Sequence, residues 1–108
     1  MLYELREYTA VPGRLPALVR RFKEHTLNLF EKHGIDVVFM TQTEFGDNST
    51  NELVYVVRFA SYEDLQEQWA TFAADPEWQR VKQESEVDGP LVARVQRRLL
   101  STAQFDGP

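Results

Sequence analysis

The stretch from Leu53 to Phe59 carries apolar side chains on both of its faces, and this constrains the fold more than any other feature of the chain. Its residues alternate strictly: Leu53, Tyr55, Val57 and Phe59 fall on one side and Val54 and Val56 on the other, with Arg58 as the single charge. Side chains of a strand point alternately to opposite faces, so a period-2 reading assigns each of them to a side. A sheet with one solvated face shows polar residues there. The stretch Ile35–Phe45 repeats the pattern, with Val37 and Phe39 opposing Val38 and Met40. The chain must therefore build a sheet whose two faces are both covered.

The remaining segments supply the cover for one face. Leu2–Thr9 alternates as a strand, Leu2, Glu4, Arg6 and Tyr8 against Tyr3, Leu5, Glu7 and Thr9, until Val11-Pro12-Gly13 breaks it. From Leu15 the apolar residues recur at helical spacing (Leu18, Val19, Phe22, Thr26, Leu29, Phe30), with Pro16 in the first turn and Lys32-His33-Gly34 as the stop. Gly46 to Asn51 reads as a hairpin loop. Ser61 opens a second helix with Asp64 three places on, an aspartate form of the capping box, and Leu65, Trp69 and Phe72 make its inner stripe. Asp75-Pro76 restarts the helix, with Trp78, Val81 and Ser85 on one face, before Gly89-Pro90 and a last strand over Leu91–Leu100.

The order β-α-β-β-α-β is that of an α+β, ferredoxin-like subunit: a four-stranded antiparallel sheet with the helices on one face. The cheapest cover for the other face is a second copy stacked by two-fold symmetry, so the expectation is a homodimer forming a dimeric α+β barrel. Glu4, Arg6, Gln42, Glu44, Arg58, Arg94 and Arg98 are expected around the rim of that contact. Residues 1–100 form the single domain and 101–108 a short tail. At 108 residues the chain is long enough for one core and too short for two.

Composition narrows the function classes. The net charge of −5 argues against nucleic acid and against an anionic membrane surface as partners. The absence of cysteine removes disulfides, thiolate nucleophiles and cysteine metal sites. No apolar run reaches membrane-spanning length and Tyr3 already belongs to a strand, so a cytoplasmic location is expected.

Few residues suggest chemistry. His25 falls on the expected inner stripe of the first helix between Phe22 and Leu29, where an imidazole serves either as general base or as a satisfied core residue. His33 is accounted for as a basic residue at a helix C-terminus. The two histidines are too far apart, and lack a carboxylate at ligand spacing, to share a metal, and no metal or other cofactor is expected. Tyr3, Phe39, Tyr55, Trp69, Phe72 and Trp78 are expected to converge between sheet and helices, either filling the core or lining a pocket for a flat apolar ligand. No phosphate loop, G-x-S-x-G or H-E-x-x-H is present.

Several stretches together resemble one family. The opening Met1-Leu2-Tyr3-Glu4-Leu5-Arg6-Glu7-Tyr8-Thr9 with Pro12-Gly13, then Glu31-Lys32-His33-Gly34, Ser61-Tyr62 after Phe59, and Ala74-Asp75-Pro76-Glu77-Trp78 are similar in order and spacing to NIPSNAP domains. The resemblance implies two ferredoxin-like subunits packed sheet to sheet, and a wider superfamily of cofactor-free oxygenases, isomerases, decarboxylase-like enzymes and haem-binding relatives, whose ligands sit between sheet and helices. It supplies no catalytic residues to carry over. Three readings stay open: a dimeric protein that binds a small apolar or aromatic molecule, a cofactor-independent monooxygenase- or isomerase-type enzyme using His25 as base, and a packed interaction module.

Overall fold

A computed structural model describes residues 1–47 and 50–106; Asn48 and Ser49 of the expected hairpin loop, and the last two residues of the expected tail, lie outside the described residues. The elements are β1 (Leu2–Ala10), α1 (Leu15–Arg21), a π-helical turn (Phe22–Thr26), α2 (Leu27–Lys32), β2 (Asp36–Gln42), β3 (Glu52–Phe59), α3 (Tyr62–Ala74), α4 (Pro76–Ser85) and β4 (Val92–Ser101). The strands pair antiparallel in the order β2-β3-β1-β4. This is the ferredoxin-like arrangement, with all helices on one side of the sheet. The radius of gyration, 14.7 Å, exceeds the ~13 Å of a compact chain of this length, as a two-layer slab requires.

Register decides which residues the helices cover. In β3, Leu53, Tyr55, Val57 and Phe59 are buried beneath the helices, and Val54, Val56 and Arg58 face the other way. Tyr55 meets Phe22, Phe30 and Tyr8 with ring centroids 5.5, 6.0 and 5.4 Å apart. Phe30 in turn packs on Phe72 at 5.1 Å and Trp69 at 5.5 Å. Such aromatic pairs each contribute about 0.5–1.5 kcal/mol beyond the area they bury.

Two one-residue irregularities displace side chains from the positions that a regular period gives them. The β2–β3 pairing shifts between Val37 and Phe39, so Val38 is an extra residue in β2. Val37 and Met40 then share the helix side while Phe39 stands opposite Val56 on the open face. Within the first helical rod, the π turn inserts one residue between Phe22 and the stripe that follows. Thr26 takes the inner position at 2% exposure, and its hydroxyl donates to the Arg21 carbonyl, 3.3 Å away, at the point where the wider turn disturbs the ladder.

The helix ends match their sequence signals. The Ser61 hydroxyl accepts the Asp64 N–H at 3.1 Å. Gly34 adopts φ +71°, and the Ile35 N–H reaches back to the Phe30 carbonyl at 2.8 Å, closing α2. Asp75 caps α4 with Oδ1 on the Glu77 N–H at 2.8 Å, while Oδ2 lies 2.8 Å from Lys32 Nζ and 2.7 Å from His33 Nε2. Lys32, then His33 and the Glu77 N–H, hold this carboxyl far below the usual carboxylate range. His33 is thus more than a helix-end residue, because it ties the end of α2 to the break between α3 and α4.

Candidate functional site

The helix-facing phase of β1 is polar where a core would be apolar. Glu4, Arg6 and Tyr8 succeed one another on that side, and Arg97 of β4 stands directly opposite Arg6. Like charges in that register repel. Glu4 resolves the conflict: its Oε2 accepts from Arg6 Nη1 and Arg97 Nε, both at 2.6 Å, and its Oε1 accepts the Trp69 indole N–H at 2.7 Å. Glu4 is 1% exposed. Burial pushes its carboxyl up, but the bonds from Arg97, Trp69 and Arg6 outweigh that and hold it below its ordinary value.

Arg6 carries the network inward. Its guanidinium lies 4.6 Å from the Trp69 ring centre and donates to the Tyr8 hydroxyl through Nη2 at 2.9 Å and Nε at 3.3 Å. The Tyr8 hydroxyl also shares a hydrogen bond with the Tyr55 hydroxyl, 2.9 Å away. Burial opposes the Arg6 charge, yet the Tyr8 and Tyr55 oxygens and Glu4 hold its proton more firmly than in a free guanidinium. Burial, with Tyr8 beside it, pushes the Tyr55 phenol well above its usual value. The result is a fixed array of one carboxylate, two guanidinium groups, two phenols and an indole N–H.

This array borders a cleft, because the helices do not reach across β4. Val95 and Leu99, on the helix side of that strand, are 41% and 43% exposed, and the Arg97 side chain 52%. Two hollows open along this strip. One, of about 270 Å³, is bounded by Glu4, Tyr62, Leu65, Arg97 and Leu99. The other, of about 340 Å³, lies between Tyr8, Arg21, Trp78, Lys82, Val92 and Val95.

The residues singled out from the sequence divide into three groups. Tyr55, Trp69 and Trp78 lie on the helix side, where Trp78 stacks on Phe72 with centroids 4.8 Å apart. Tyr3 and Phe39 do not join them. Tyr3 belongs to the opposite phase of β1, paired with Arg58 and Leu100, and the extra residue Val38 turns Phe39 to the open face, where it is 45% exposed. His25 is not on the inner stripe: the π turn places Thr26 there, leaving the His25 side chain 49% exposed beside Glu24 at 4.0 Å. Glu4 and Arg6, expected at the rim of a sheet contact, instead face the helices. They share the phase of Tyr8, and a buried Trp69 indole needs an acceptor; those two signals together locate the network. Among the described residues no group of three or more His, Asp or Glu is placed to hold a metal ion, and no helix is long and apolar enough to cross a membrane.

The NIPSNAP family profile matches residues 3–106, nearly the whole chain. The chain belongs to the NIPSNAP family. Among solved structures, this NIPSNAP domain is similar to an Agrobacterium tumefaciens protein with TM-score 0.82 and 26% identity, covering 97% of this chain and 96% of that one. A NIPSNAP-like domain protein from Burkholderia xenovorans gives TM-score 0.82 at 22% identity over 99% and 89% of the two chains. A putative antibiotic biosynthesis monooxygenase from Nitrosomonas europaea shares the fold, with TM-score 0.62 at 9% identity over 94% and 97%. No curated protein sequence matches the chain.

Proposed function

We propose that this NIPSNAP domain is a homodimeric binding protein that holds a small apolar or aromatic molecule in the cleft between β4 and the helices. The observation that carries the reading is the uncovered strip of β4 above an ordered polar array. Val95, Leu99, Leu65 and Trp78 offer apolar walls, and Glu4, Arg6, Tyr8 and Arg97 offer a few fixed polar groups. Sites for small molecules combine those two ingredients, apolar walls for affinity and sparse polar groups for orientation.

The second copy covers the open face of the sheet. Tyr3, Leu5, Phe39, Val54, Val56 and Leu100 share that face, and Phe39 and Leu100 are 45% and 44% exposed. An apolar patch of that kind on a slab only 18 Å thick supports association through it. The enzyme reading with His25 as base has less support, because His25 lies on the outer side of the helices rather than in the cleft.

Native and denaturing mass spectrometry of the freshly purified protein test both parts. The expected result is a dimer carrying an extra small mass that denaturation releases. Replacement Leu99→Trp, which fills the cleft, should abolish the adduct and leave the dimer intact. A wild-type monomer would overturn the assembly, and an adduct that survives Leu99→Trp would overturn the location.

A further inference from the structure

The β4 cleft carries a charge opposite to that of the whole chain. Acidic residues outnumber basic ones in the sequence, 17 to 12, yet the balance along the cleft is reversed. Arg97, Arg21 and Lys82 line its hollows, with Arg6 beside Arg97 on the neighbouring strand, against two carboxylates, Glu4 and Glu86. Arg94 and Arg98 belong to the other phase of β4, paired with Thr9 and Leu5, and contribute to the open face instead. Both carboxylates of the cleft are already engaged. Glu86 Oε2 lies 3.4 Å from Arg21 Nη1, and Glu4 is shared between Arg6 and Arg97. One carboxylate thus answers two guanidinium groups, and the network keeps one uncompensated positive charge.

The two guanidinium groups differ in what they have left to offer. Arg6 is largely buried and spends all three nitrogens, Nη1 on Glu4 and Nη2 and Nε on Tyr8. Arg97 is half-exposed and bonds through Nε alone. Among the described residues its Nη1 and Nη2 have no partner, and that edge of the fork presents two parallel donors, the arrangement that grips a carboxylate with both oxygens. Water satisfies an ordinary surface arginine, but this one is held in place. Glu4 fixes its Nε, and Glu4 is itself pinned by Trp69 and Arg6, so much of the side-chain freedom that binding would remove is already lost. Its neighbours on the same side of β4, Val95 and Leu99, are apolar and uncovered. The hollow of about 270 Å³ runs from Arg97 past Leu99 to Leu65 and Tyr62, so a charged head and an apolar body find their partners side by side.

We propose that the ligand of the β4 cleft is a monocarboxylic acid, its carboxylate on the Nη1–Nη2 edge of Arg97 and its apolar body between Leu65, Leu99 and Tyr62. This rests on the binding function proposed above and adds to it the charge of the molecule bound. Lys82, exposed and without an ion pair among the described residues, borders the adjoining hollow and attracts an anion to the same strip.

The probes are 2-naphthoate and 2-naphthamide, which share a ring system and differ by one charge. Each is titrated into dialysed ¹⁵N-labelled protein and followed by calorimetry and by the Trp69 indole N–H signal, whose acceptor is Glu4. Hydrogen bonds to a charged group are worth roughly tenfold to a hundredfold in affinity, so the acid should bind tighter than the amide by that factor. Arg97→Gln should bring the two within about threefold of each other, and Arg97→Lys, which keeps the charge without the paired donors, should retain part of the preference. Circular dichroism checks the fold of both variants. An amide that binds as tightly as the acid, with Leu99→Trp blocking both, would overturn the acid and leave the cleft reading standing. A preference that survives Arg97→Gln would overturn the role of Arg97. Failure of both probes to bind would also overturn the acid, and the adduct sought by native mass spectrometry then decides the cleft reading separately. Acid binding that is unchanged in Leu99→Trp would overturn both.

Discussion

Replacing Phe39 by alanine tests the assembly at a residue whose contribution can be worked out in advance. Phe39 is 45% exposed on the open face of β2, an edge strand, so little of the subunit core depends on it. A phenylalanine presents about 200 Å² to solvent when extended, which leaves about 90 Å² of Phe39 for a second copy to cover. At about 25 cal/mol per Å² this is about 2 kcal/mol per subunit. Two-fold symmetry uses the residue twice, so Phe39→Ala should cost the dimer about 4 kcal/mol, roughly a thousandfold in its dissociation constant. Phe39 lies outside the core cluster, but the part of its ring already covered within the subunit is lost too, so the subunit itself should also unfold at a lower temperature. Sedimentation over a dilution series, with circular dichroism as a check on folding, measures both quantities. A folded Phe39→Ala protein whose dissociation constant stays within about threefold of wild type would refute the sheet-to-sheet contact, since such a change is under 1 kcal/mol.

Further outcomes follow from the polar network and the caps. Glu4→Gln leaves Arg6 buried without its counter-charge and should destabilise the protein by about 3 kcal/mol in denaturant titration. The Glu4 carboxyl is held below its ordinary value of 4.5, so its contribution is complete above that pH and is lost as pH falls through the lower folded value; Glu4→Gln should flatten the acid limb of the stability curve. Asp75→Asn keeps the α4 cap but removes the charge shared with Lys32 and His33. Its melting temperature should fall most near neutral pH and converge on wild type in acid, because the depressed Asp75 carboxylate contributes above its ordinary value and is lost as it protonates. Tyr55→Phe removes one hydroxyl of a buried pair and should cost about 1 kcal/mol, read by thermal unfolding, while leaving the dimer unchanged.

Element order, helix capping and the fold class were legible because each rests on signals that add up over many residues: period-2 alternation in β1 and β3, the Ser61 and Asp75 caps, Gly34 after Lys32. The candidate site was legible only in part. Tyr55, Trp69 and Trp78 were placed on the correct side because their elements are regular. Phe39 and His25 were displaced by single extra residues, and neither insertion leaves a compositional mark. Val38 is as suited to a strand as its neighbours, and no glycine or proline interrupts Phe22–Thr26. Glu4 and Arg6 read as surface charges because a charge on the core side is rare, and only the Trp69 N–H and the Arg97 register explain how they are tolerated.

The π turn gives the first helix a place where its length can change without cost to the core. Phe22 and Thr26 are the inward members of the turn, and Lys23, Glu24 and His25 between them are exposed. Loss of any one of those three would return the turn to ordinary α-helical spacing, with the Leu18–Phe22 stripe before it and the Leu29–Phe30 stripe after it still on the same side. Insertion and deletion are usually confined to loops, where the backbone has room to absorb them. Here a relative one residue shorter can keep the same interior and present a different side chain to the space between α1 and α4, so this wall can diverge by changes of length as well as of residue type.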